Sequence, residues 1–145
     1  MNRKQRIRKS LRIVISMYDS GVRFYQNGYR GEADLLSYLQ TFYPNIEFTL
    51  GNGKSVYDVF CDYALFDNVG VDKQDRLIVD HKMSMYRHKA VARVCCKPGY
   101  IAFKYCGDYC FIPVTAKIFR NKVRPKIDGY LLRSCKKLNL EACEA

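Results

Sequence analysis

Six aspartates fall within residues 58–82 of a chain whose formal charge is +11. Asp58 precedes the apolar pair Val59-Phe60, Asp62 follows four residues later, and the triplet Asp80-His81-Lys82 closes the apolar run Leu77-Ile78-Val79. Carboxylates are hard oxygen donors of the kind Mg²⁺ takes, one or two at a time, with water and phosphate completing its shell. A lysine beside such a cation can position a water and steady charge developing on a phosphodiester. Strand side chains alternate, so Asp80 and Lys82 share a face while His81 points the other way, and Asp58 and Asp62 also share a face. If residues 58–66 and 76–82 pair as neighbouring strands, an acid from the first meets the acid and amine of the second. An acid two positions before a lysine arises by chance about once in a chain of this size. Its place at the end of an apolar run, where an uncompensated charge is costly, is what singles it out. His88 reads either as a general base or as a packed side chain.

The elements that must position these groups follow from periodicity and punctuation. Ile7, Leu11, Val14 and Tyr18 repeat at helical spacing, giving an N-terminal helix with Arg3, Lys4, Arg6, Arg8, Lys9 and Arg12 on its outer side. That side is either a clamp on phosphate backbone or a solvated surface. Residues 22–30 read as a flexible basic-aromatic link. A second helix starts at Gly31, carries Glu32 and Asp34 in its first turn, buries Leu35, Leu36, Leu39 and Phe42, and stops before Pro44. Strands are expected over 46–50, 55–66 and 76–82 as an antiparallel meander, the first two separated by Gly51-Asn52-Gly53. A helix follows over 83–97, with Arg87 exposed and Lys97-Pro98-Gly99 as its stop, then a short helix over 100–105 bearing Lys104. A central strand covers 109–114 and a helical turn 115–119. Arg120, Lys122, Arg124 and Lys126 form an exposed basic loop, a last strand spans 129–134, and the tail beyond it frays.

This order of elements, with the pattern Asp58…Asp80-His81-Lys82, resembles the PD-(D/E)XK nuclease superfamily, whose core runs α-β-β-β-α-β. The segment Tyr105-Cys106-Gly107-Asp108-Tyr109-Cys110-Phe111-Ile112-Pro113 is similar to the Tyr-Cys-Asp-aromatic stretch of small stand-alone, DNA-repair-associated (MmcB-like) members, which leads into a strand ending at proline. The likeness spans roughly residues 31–134. Tyr57 stands where the superfamily name has proline, Asp80 where glutamate is commoner, and the loop between the carboxylates is long, so Asp58 and Asp62 compete for the first ligand position. The resemblance implies an α/β (α+β) fold with a restriction-endonuclease-like αβββαβ core, a central mixed sheet flanked by helices and an extra basic N-terminal helix. It implies Mg²⁺ or Mn²⁺ on Asp58 or Asp62 and on Asp80, Lys82 aligning the attacking water, and Glu32 as the acidic residue of the core's first helix. The implied function is hydrolysis of DNA phosphodiester bonds, in repair, recombination or the processing of phage and mobile-element DNA.

Composition sets the remaining bounds. A chain of 145 residues, 48% hydrophobic, with 12 Tyr and 8 Phe, makes one folded domain: 1–30 basic helix and link, 31–134 core, 135–145 tail. A pI near 9.4 suits a polyanionic partner, DNA above all. A nuclease that cuts two strands would often be a homodimer. Without a signal peptide or a bilayer-length apolar run, the chain reads as cytoplasmic with no membrane partner. Seven cysteines then read as buried thiols. The alternative of zinc on Cys95, Cys96, Cys106 and Cys110 with His81 or His88 fits no standard spacing. Two other functions fit the same composition: a catalytically inactive nucleic-acid-binding protein on the same scaffold, and a small inhibitor or adaptor that engages an acidic protein surface.

Overall fold

A computed structural model describes residues 23–52, 55–79, 84–120 and 123–140. Helix α1 (Arg23–Phe42) leads into three short strands, β1 (Thr49–Leu50), β2 (Val59–Phe60) and β3 (Leu65–Asn68). Helix α2 (Ser84–Cys95) then crosses to β4 (Gly99–Tyr105), which turns into β5 (Asp108–Pro113). A 3₁₀ turn (Lys117–Arg120) and a short helix α3 (Gly129–Arg133) complete the described chain. The five strands lie side by side in sequence order. β2 is antiparallel to both β1 and β3, β3 and β4 are parallel, and β4 and β5 form an antiparallel hairpin. A parallel pair needs a long crossover, and α2 supplies it. The result is a mixed α/β domain with a central mixed sheet. Among the described residues no helix is long and apolar enough to cross a membrane.

Strand alternation splits the interior into two cores. Phe66, Ala102 and Phe111 face α1 and pack with its Leu35, Leu36 and Leu39. Leu65, Ile101, Phe103 and Ile112 face the other way and pack with Met85 and Ala92 of α2 and with Ile118, Phe119 and Leu131 beyond β5. Burial of large side chains on both faces, each worth about 1.5–3 kcal/mol, fixes which residues of β3 point to which layer.

Several expectations change. Residues 55–66 are not one strand. The chain turns at Cys61–Ala64, closed by the Cys61 N–H donating to Ala64 O at 3.0 Å, so that Val59 pairs with Phe66. The third strand is therefore 65–68. The stretch expected there, 76–82, is described only to Val79 and joins the fold through the isolated bridges Arg76↔Lys126 and Val71↔Leu77. Residues 23–30 continue α1 rather than forming a link. Residues 100–105 are strand, because Ile101, Ala102 and Phe103 are all buried between the two layers. β5 is the edge strand, not a central one. Residues 129–133 are helical, started by Asp128, whose side chain accepts from the Leu131 N–H at 2.9 Å. The tail is packed as far as Leu140, which is buried against the α1 core. Cys95, Cys96 and Cys106 are exposed rather than buried.

Candidate carboxylate site

The new hairpin decides which acids meet. Asp58 and Asp67 flank its outer pair, Val59↔Phe66. The regular ladder ends there: the Asp58 N–H donates to Phe66 O at 2.9 Å, and the Asn68 N–H donates to the Asp58 side chain, Oδ2, at 2.8 Å. The carboxyl group of Asp58 thus takes the place of a backbone acceptor, which fixes it beside Asp67, and the two side chains share a hydrogen bond.

A third acid comes from the helix layer. Gly31 of α1 passes so close to β3 that a Cβ there would collide with the Asn68 side chain. This approach brings the next residue, Glu32, into hydrogen-bond contact with Asp58. From the opposite layer α2 contributes His88, buried, with Nε2 3.1 Å from Asp67 Oδ2. Tyr57 holds that histidine in place. Its ring meets the imidazole edge-on with centroids 4.9 Å apart, and its hydroxyl donates to His88 O at 2.8 Å. Gly99 makes room for the Tyr57 hydroxyl, since a Cβ at that position would overlap it. The aromatic residue in front of Asp58 is therefore the strut between β2 and α2.

The electrostatics follow from this crowding. Burial, then the negative charge of Asp67 and a hydrogen bond with it, then the charge of Glu32, push the Asp58 carboxyl up to about 9, against the lowering effect of the Asn68 N–H. Burial also raises Glu32, with its hydrogen bond to Asp58 opposing and the charge of Asp67 adding. Carboxylates this close cannot all ionise, and a proton or a bound cation must relieve the repulsion. Three oxygen-bearing groups are the donor chemistry of a hard divalent ion. Among the described residues no three His, Cys, Asp or Glu side chains are already spaced to hold a metal ion. The acids instead bond one to the next, Glu32 to Asp58 and Asp58 to Asp67.

Of the residues expected to act, Glu32 and Asp58 come together. Asp62 is exposed on the hairpin turn, outside the cluster, because the strand ends at Phe60. Asp80, His81 and Lys82 lie outside the described residues, as do Arg3, Lys4, Arg6, Arg8, Lys9, Arg12 and Lys122. Arg87, Lys104, Arg120 and Lys126 are exposed. Arg124 is engaged in the fold, 3.5 Å from Asp72, and its carbonyl accepts from Arg76 at 2.8 Å. Sequence reasoning missed Asp67, which it placed in a turn. The signal was present: Asp58-Val59-Phe60 and Leu65-Phe66-Asp67 mirror each other about Asp62-Tyr63, the pattern of a hairpin closed by a pair of acids. No protein-family model, no curated protein and no solved structure matches this chain.

Proposed function

We propose that this protein is a metal-dependent nuclease that hydrolyses phosphodiester bonds in DNA. The observation that carries the reading is the meeting of Glu32, Asp58 and Asp67, drawn from a helix and two strands of an α-β-β-β-α-β succession, the element order of the restriction-endonuclease-like core. In that order Asp58 and Asp67 occupy the two acidic positions of the PD-(D/E)XK pattern, with Asp67 replacing Asp80. A bound Mg²⁺ or Mn²⁺ would supply Lewis acidity toward a phosphodiester oxygen and make a water acidic enough to attack phosphorus. Glu32, Asp58 and Asp67 are the oxygens that would hold it. His88 fixes the orientation of the Asp67 carboxylate, and Tyr57 fixes His88. Asp58 would give up its proton to make room for the cation, so affinity for Mg²⁺ would rise with pH up to about 9. The +11 formal charge draws in the polyanion.

One observation favours a second reading. Two residues after Asp67, where the pattern has lysine, stands the buried Val69. A catalytically silent DNA-binding protein on this scaffold would look the same. The two separate on incubation with single-stranded, duplex and branched DNA plus Mg²⁺ or Mn²⁺. Metal-dependent cleavage that disappears in Asp58→Ala and in Asp67→Ala supports the nuclease, and cleavage that persists in both ends that assignment. Salt-sensitive binding with no cleavage favours the silent binder. Lys82→Ala and Asp80→Ala then test whether the 80–82 triplet takes part.

A further inference from the structure

Away from the carboxylates, two cavities of different chemistry lie along the β5 side of the sheet. The larger, about 780 Å³, is lined by Lys89, Arg93 and Lys97 from α2 and its stop and by Lys136 and Lys137. Among the described residues lining it there is no aspartate or glutamate. The smaller, about 460 Å³, is walled by aromatic rings. Its outermost ring is Phe42, 57% exposed, with the Tyr38 ring 4.5 Å away and that of Tyr109 a further 4.9 Å beyond Tyr38. Lys136 and Lys137 line both cavities. Their backbone is pinned between the two: the Lys136 N–H donates to Phe111 O at 2.7 Å, and the Tyr43 hydroxyl donates to Leu138 O at 3.0 Å. Asp108, exposed and lining the aromatic cavity, accepts from the Tyr109 N–H at 2.8 Å and from the Tyr38 hydroxyl.

Five cations line a cavity whose own walls carry no carboxylate, Lys97 with its Nζ also donating to Cys61 O at 3.0 Å, and such a concentration of charge asks for a polyanion rather than a single phosphate. An exposed ring beside such a cavity offers a stacking platform to a base whose face is free. Bases inside a duplex have no free face, and a polyphosphate has no base. We infer that the two cavities form one groove that binds single-stranded nucleic acid, its phosphates over the five cations and an unstacked base against Phe42 and Tyr38. Lys89 follows His88, the neighbour of Asp67, in the sequence of α2. The inference stands on charge and ring placement and does not depend on turnover.

The test is fluorescence anisotropy of the full chain with a labelled oligothymidylate, a duplex of equal length and, as competitor, inorganic polyphosphate, all in EDTA so that no cleavage is involved. The expected result is preference for the single strand over the duplex. Lys136→Glu with Lys137→Glu weakens oligothymidylate binding by about tenfold or more and flattens its salt dependence. Phe42→Ala weakens it by about fivefold or more and leaves polyphosphate binding unchanged. Lys73→Glu, an exposed cation outside both cavities, changes neither. An unaltered thermal transition in each variant keeps folding out of the comparison. Equal affinity for duplex and single strand, binding unmoved by the lysine reversals, or equal loss of both ligands in Phe42→Ala overturns the groove. Because EDTA removes any catalysis, failure of the nuclease reading and failure of the groove are separate outcomes.

Discussion

Asp58 and Asp72 are fourteen positions apart on either side of β3, and their surroundings push them in opposite directions. Asp72 sits in a loop built to receive its charge. The N–H groups of Arg76 and Gln74 donate to Oδ1 at 3.0 and 2.9 Å, and the Arg124 guanidinium lies 3.5 Å from Oδ2. These donors, led by the Arg76 N–H, hold its carboxyl below the ordinary range. Asp58 receives one backbone N–H and is otherwise raised by burial and by the two acids beside it. A carboxylate that organises a loop is neutralised by the fold itself. One packed among other acids is neutralised from outside, by protons or by a cation, and under the proposed nuclease reading that difference separates structural from functional acid.

Four changes would break or sharpen the contrast. The largest effect is on chemistry: Asp58→Ala or Asp67→Ala lowers metal-dependent cleavage by about a hundredfold to a thousandfold, whereas Asp72→Ala leaves the rate unchanged, as initial rates on labelled DNA would record. The next is on stability without metal. Because the folded protein holds the Asp58 proton more tightly than the unfolded chain, the Asp58 contribution to stability is fully present in acid and is lost as pH rises from about 4 toward about 9. Asp58→Asn removes that slope and is the more stable protein at pH 8 by about 1–3 kcal/mol, read from urea transitions in EDTA. Third, Gly31→Ala makes the Asn68 amide swing aside, a shift at the end of one side chain that the gain in helix propensity offsets, so stability in the same assay changes by no more than about 1 kcal/mol. The smallest is Asp72→Asn. Its effect on stability has the opposite pH sign, present at neutral pH and lost as pH falls through the carboxylate range.

Much of the order of elements could be read from punctuation. Leu35, Leu36 and Leu39 marked α1, Pro98-Gly99 marked the end of α2, Asp58 stood out as an acid next to an apolar pair, and Glu32, read as a first-turn acid of its helix, was singled out by the family resemblance alone. The hairpin did not, because its turn, Cys61–Ala64, contains no glycine, proline or asparagine, and neither Asp62 nor Tyr63 needs a positive φ. With that turn hidden, Asp67 fell into a loop and the third strand was sought too far along, at Leu77-Ile78-Val79. Those residues are apolar for another reason: Leu77 and Val79 are buried in the α2-side core without joining the sheet ladder. β4 escaped for lack of any period, since Ile101, Ala102 and Phe103 are buried on both faces. The hairpin joining β4 to β5 was marked instead by Cys106-Gly107, which adopts positive φ at both residues, 51° and 80°. For α3, Asp128 ahead of Gly129-Tyr130-Leu131-Leu132 was a legible cap that the apolar content of the segment obscured.

The claim beneath all of this is that protons shared among Glu32, Asp58 and Asp67 hold a place that a divalent cation can take. Carboxyl-carbon NMR of the full chain, titrated with and without Mg²⁺, measures it most directly. The account predicts that Asp58 titrates near 9 in EDTA and far lower once Mg²⁺ is added, with proton release on binding. Titration of Asp58 in the ordinary carboxylate range, unmoved by Mg²⁺, would contradict it.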